Sequence, residues 1–168
     1  VPDDVISPLT FVMDVLLLVI IAILADVISK RIVFVIIKKL VSKSKTKWDD
    51  YFFEQKVFSN LVHLIPAIIV LLSINIVFDD IPNIIPFLTK ATEFYIVILI
   101  VIVINKALKA FENLMINDEK LANSPLRTLS QVARILIFFV ALVFVISIFT
   151  GIDAASILGV LAWTSAIL

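Results

Sequence analysis

The chain has no cysteine, a single histidine and only two glycines in 168 residues. Without thiols there is no disulfide scaffold, no cysteine nucleophile and no cysteine-ligated metal. One histidine excludes a two-histidine metal site within the chain, and no nucleophile–base pair stands out that would suit an enzyme. No catalytic residue, cofactor or metal is therefore expected. Charge is also scarce: 14 Lys and Arg balance 14 Asp and Glu, together 17% of the chain. No nucleic-acid partner is expected.

Apolar residues are what the chain has in excess. They make up 62% of it, with a mean hydropathy of +1.17, where an ordinary soluble domain is about half apolar. The charges lie in clusters between long greasy runs, the pattern of a polytopic membrane protein. The expected fold is all-α and integral to the membrane, with five transmembrane helices per subunit. The chain opens on Val1 and stops at Leu168 inside an apolar segment. It reads as an excerpt of a longer protein with no legible cleavable signal.

A first span is expected from Leu9 to about Ser29, since about 20 apolar residues cross the hydrocarbon. Asp14 and Asp26 fall near its ends and read as interface anchors, with an ion or proton site as the alternative. Asp26 is four residues before Lys30 and can pair with it. Lys30 to Lys47 alternates short apolar runs with lysines, so the first helix is expected to continue into the interface, lysines toward headgroups. Trp48 is an interface anchor, and Thr46 with Asp49 fits a capping box. A second span is expected over Val57 to Phe78. His63 and Pro66 are placed in its first turns, where proline is tolerated, and His63 reads as a structural residue. Ser73 and Asn75 are expected to bond a neighbouring helix or their own backbone.

Asp79 to Pro86 is a turn-rich connection, Phe87 to Leu108 a third span, Glu112 to Pro125 a polar loop, and Leu129 to Phe149 a fourth span. Arg127 precedes the fourth span and Arg134 lies in its second turn, each within reach of headgroups. Eight of the 14 basic residues fall between Lys30 and Lys56, five between Lys106 and Arg134, and one at Lys90. By the positive-inside rule the first and third connections are cytoplasmic, the N-terminus is outside, and a fifth helix runs inward.

That fifth helix starts after a Gly151–Asp153 turn, with Asp153 as its N-cap. Ala155, Gly159, Ala162 and Ala166 recur at steps of four, three and four and form one narrow stripe. In lipid such a stripe lets another backbone approach closely. It suits a ring of copies packed seam to flank, or a pairwise contact with another helix of the same chain. The segment alone favours the pairwise contact.

Several stretches resemble the small-conductance mechanosensitive channel (MscS-like) family, in its miniconductance, YbdG-like branch. They are the basic run into Thr46-Lys47-Trp48-Asp49-Asp50, then Lys56-Val57-Phe58, and Leu61-Val62-His63-Leu64-Ile65-Pro66-Ala67. Pro125-Leu126-Arg127 through Leu129-Ser130-Gln131-Val132 follows, and last Gly159-Val160-Leu161-Ala162-Trp163-Thr164. The resemblance covers most of the chain from about Lys30 and implies a homo-heptamer in the bacterial inner membrane. Residues 1–149 would be a four-helix, tension-sensing paddle. Residues 150–168 would begin the pore-lining helix, truncated here, with a cytoplasmic domain to follow. The constriction would fall near Ser165 to Leu168. Leu161 stands where relatives often have a small residue, and Trp163 is bulkier than the usual aliphatic.

The function expected on that basis is a poorly selective channel opened by membrane tension, acting in hypo-osmotic protection. Its partners would be copies of itself, ions and membrane lipids, the headgroups gripped by Lys38, Lys39, Lys43, Trp48, Arg127 and Arg134. A secondary transporter is the alternative, although the spans carry few of the charged midplane residues that transporters use. A non-conducting membrane scaffold also fits the composition.

Overall fold

The computed structural model describes residues 8–41, 57–116 and 126–167, with a few side chains at helix ends left outside the description. The described residues are all helical or turn, with no strand. Five helices follow in order: α1 Pro8–Val41, α2 Val57–Val77, α3 Ile85–Ile116, α4 Leu126–Thr150 and α5 Ala154–Ile167. The first four are long and apolar enough to cross a membrane. At 1.5 Å per residue α2 is about 31 Å long, matching the roughly 30 Å of hydrocarbon. The fifth expected span is a 14-residue helix, about 21 Å, so four described helices rather than five reach spanning length.

The chain divides into two units, the first holding α1, α2 from Phe58 and α3 to Leu99, the second α3 from Ile100 with α4 and α5. In the first unit α1 is built inside out relative to a soluble helix. Its half-buried and buried positions are Asp14, Leu18, Ile21, Ala22, Ala25, Asp26, Ser29 and Val33, spaced at helical intervals. Leu16, Ile20, Ile23, Leu24 and Ile28 are exposed. Lipid exacts no penalty for exposed aliphatics, so small and polar residues turn toward protein. Both acids thus sit on the protein-facing stripe of α1. Asp14 is about one turn from the start of the apolar window Thr10–Ile36, whereas Asp26 lies well inside it and not near a span end at Ser29.

The matching line on α2 is Val62, Pro66, Ala67, Ile74 and, just beyond the helix, Phe78. Phe78 is almost fully buried, and its ring meets Phe11 of α1 at a centroid distance of 6.4 Å, tilted by 53°. Pro66 lies well inside α2, not in its first turns, so the tolerance of helix starts for proline does not explain it. It removes the amide that would have bonded the Val62 carbonyl. Membrane helices carry such breaks where neighbouring protein covers them, and Pro66 is buried. Ser73 bonds the carbonyl of Ile69 on its own helix, at 2.8 Å.

Two successive turns, with Ile81 N–H on the Phe78 carbonyl at 2.9 Å and Ile84 N–H on the Ile81 carbonyl at 3.2 Å, lead into α3. Pro86 occupies the first turn of α3, where its missing N–H costs nothing. At the other end α3 continues through Glu112 to Ile116, a stretch the sequence reading gave to a polar loop. Glu112, Leu114 and Met115 are good helix formers.

In the second unit Ala110 and Val143 are buried, with Ser130 nearly so. α4 ends on a tight joint. Gly151 adopts φ 74°, the left-handed conformation glycine takes without penalty, and its N–H bonds the Ser147 carbonyl at 2.8 Å. The Thr150 hydroxyl donates to the Ile146 carbonyl and accepts from Ile152 N–H.

Candidate functional site

Two places combine unusual geometry with chemistry: the face of α5, and a polar cluster where α1 meets α2 and α3.

α5 begins as its sequence indicates. Asp153 Oδ2 accepts from Ser156 N–H at 3.3 Å, and the Asp153 carbonyl accepts from Ile157 N–H at 3.2 Å, the arrangement of an N-cap. Along the helix Ala155, Gly159 and Ala162 are exposed. A methyl group placed on Gly159 would meet nothing within 4 Å. Among the described residues of its own unit, none covers this small-residue stripe. The side chains of Ser165 and Ala166, at the end of α5, lie outside the described residues, as does Leu168. Thr164 turns its hydroxyl back to the Val160 carbonyl at 2.7 Å.

The polar cluster centres on Asp26. One carboxylate oxygen, Oδ2, accepts from the Lys30 ammonium one turn along α1, the pairing expected from their spacing. The other, Oδ1, lies 3.2 Å from Nδ1 of His63 on α2. An ionised carboxylate only accepts, so the imidazole hydrogen is assigned to Nδ1, leaving Nε2 as the free lone pair. Beside the pair opens a cleft of about 390 Å³, lined by Ala22, Pro66 and Ala67 and by the polar side chains of Thr92 and Tyr95 from α3. Thr92 is engaged with the Leu88 carbonyl at 2.8 Å. The sequence reading treated Asp26 as an anchor and His63 as a structural residue. The signal it passed over was an acid and the sole histidine on consecutive spans.

Arg134, expected to reach headgroups, is engaged within the protein. Its guanidinium donates to Glu112 at 2.6 Å, joining α3 and α4 near the ends linked by residues 117–125. Its Nε is buried without a partner. Lys38 and Lys39 lie in the last turns of α1 and Arg127 in the first turn of α4, with side chains outside the described residues; Lys43 and Trp48 lie wholly outside them. Among the described residues no three side chains are grouped to hold a metal ion.

No protein-family model, curated protein or solved structure matches the chain.

Proposed function

We propose that this chain is the membrane part of a homo-oligomeric, poorly selective ion channel opened by membrane tension, acting in hypo-osmotic protection. By the family likeness of its segments the oligomer is a heptamer in the bacterial inner membrane, N-terminus outside. The observation that carries this reading is the uncovered stripe of Ala155, Gly159 and Ala162 on α5. A smooth helix face left open by the described residues of its own unit suits copies packed seam to flank around an axis, each α5 lining the pore.

Tension acts as a ligand that favours the state of larger in-plane area, and it shifts the equilibrium only through that difference. α1 to α4 supply the lipid contact, their exposed faces being almost wholly aliphatic and aromatic. Lys38, Lys39, Lys43 and Arg127 grip anionic headgroups, each worth about 1 kcal/mol near the surface, with Trp48 as an interface anchor. In the closed state apolar side chains near Ser165 and Leu168 exclude water from the constriction. With no charge on α5 after Asp153, this segment discriminates little between ions.

Patch-clamp recording under suction tests the reading. Stepwise currents evoked by tension are expected. Silent patches from membranes with verified expression would instead leave a non-conducting scaffold. A second reading, a secondary transporter, draws on the Asp26–His63 pair inside two spans, since such groups commonly relay protons in transporters. Solute uptake without tension-evoked current would favour it.

A further inference from the structure

The Asp26–His63 contact has a property that the channel reading does not use. It joins two separate helices through the chain's single histidine. Histidine is the side chain whose ordinary titration falls in that range. Here Nδ1 faces Asp26 at 3.2 Å, and Nε2 is the atom left to accept a proton. The side chain of His63 is 42% exposed and that of Asp26 28%. Both line the open cleft with Thr92 and Tyr95, the path by which a proton would have to reach the imidazole.

We propose that His63 and Asp26 form a proton-binding site that fastens α1 to α2, the contact tightening when His63 is protonated. The proton passes from hydronium in the cleft to Nε2: one hydronium O–H bond breaks as the N–H bond forms, and water is left. Before uptake the tie is a hydrogen bond from a neutral imidazole to a carboxylate. Afterwards it is an imidazolium–carboxylate pair with the same Nδ1–H in place, and the attraction between two opposite charges is added to the hydrogen bond. The remaining titratable groups facing the site are Lys30 on α1 and Tyr95 on α3. α2 carries no second one, and Asp14 lies about three turns away along α1. Lys30 is paired with the other oxygen of the same carboxylate, and the imidazole is the group whose protonation is proposed to change.

Proton uptake that strengthens the tie must, by linkage, be strengthened by it. Acidification therefore gathers α1 and α2, and a basic shift releases them. This inference is independent of conduction, and its test needs no current.

The absence of native cysteine allows nitroxides at Ile23→Cys and Leu72→Cys, both exposed positions, on the full-length protein in nanodiscs. Dipolar EPR would follow the α1–α2 distance from pH 8 to pH 5, while nitrogen-15 NMR of labelled histidine follows the signal lost in His63→Gln. The population at short, narrow distance is expected to rise about fivefold or more on acidification, along the same curve as the imidazole signal. His63→Gln and Asp26→Asn should abolish the rise. His63→Lys, a cation throughout the range, should hold the short distance at both pH values. Gel filtration establishes that each variant remains assembled. A distance distribution that ignores pH in the parent, an imidazole that does not titrate between pH 8 and 5, or a pH response that persists in His63→Gln would each overturn the proposal.

Discussion

Arg134 donates to Glu112 at 2.6 Å across the hairpin formed by α3 and α4. With side-chain exposures of 36% and 17%, the pair is neither a surface ion pair worth almost nothing nor a fully desolvated one. Removing one partner leaves the other charge half-buried, so Glu112→Gln and Arg134→Gln are each expected to cost about 1–3 kcal/mol. The double variant should cost less than the two singles together. A double-mutant cycle on unfolding in mixed micelles measures this coupling, expected at about 1–2 kcal/mol. Full additivity would show the contact to be energetically silent.

The joint between α4 and α5 should respond to substitution through the backbone alone. Gly151 sits at φ 74° with nothing within 4 Å of where a Cβ would stand, so Gly151→Ala introduces strain without a clash. A loss of about 1–2 kcal/mol is expected, and Gly151→Asn should lose less, because asparagine visits this conformation more readily. One turn on, Asp153→Ala removes the acceptor of Ser156 N–H. It should cost about 1 kcal/mol and speed amide exchange at Ser156, with Asp153→Asn close to neutral. Equal exchange at Ser156 in all three proteins would mean the cap does not hold in solution.

Much of this architecture is legible in the chain itself, for definite reasons. Span lengths follow from unbroken apolar runs, which is why α2 ends within a residue of its expected limit. The start of α5 follows from Asp153, because caps are encoded in a few adjacent residues. What does not follow is which helix faces meet. Asp14 and Asp26 read as anchors because a one-dimensional pattern cannot distinguish a lipid-facing acid from a protein-facing one. His63 gained its partner only when α1 and α2 were brought together. Pro66 reads as a first-turn residue, although it lies nine residues into a helix that begins at Val57. Glu112 looked like loop because its neighbours are polar. Its partner Arg134 is 22 residues away in sequence, too far for local pattern to link them.

The basic residues at the end of α1 yield a lipid prediction. If Lys38, Lys39 and Lys43 meet headgroups, each contributes about 1 kcal/mol of preference for anionic lipid. Replacing all three with glutamine should bring the selectivity for spin-labelled phosphatidylserine over phosphatidylcholine in the lipid annulus close to one. High salt should have the same effect on the parent, because the interaction is screened within about 10 Å at 0.1 M. An annulus unchanged by the triple replacement would remove these lysines from lipid contact.

The sharpest prediction concerns Gly159, where the isolated chain and the assembly should give opposite answers. Within one chain the residue is helical and faces open space, so Gly159→Ala replaces a poor helix former with the best one and should stabilise α5 by up to about 1 kcal/mol. If copies pack along the Ala155–Gly159–Ala162 face, the added methyl instead holds two backbones apart. Gly159→Leu and Ala162→Leu, larger still, should prevent assembly or raise the tension needed for opening. Helicity by circular dichroism in a monomerising detergent and oligomer mass in nanodiscs separate the two effects. Gain in the first with loss in the second places the stripe at a subunit interface. Undiminished assembly and unchanged gating in both leucine variants would show that the stripe faces lipid, and the pore would then have to be sought on another helix.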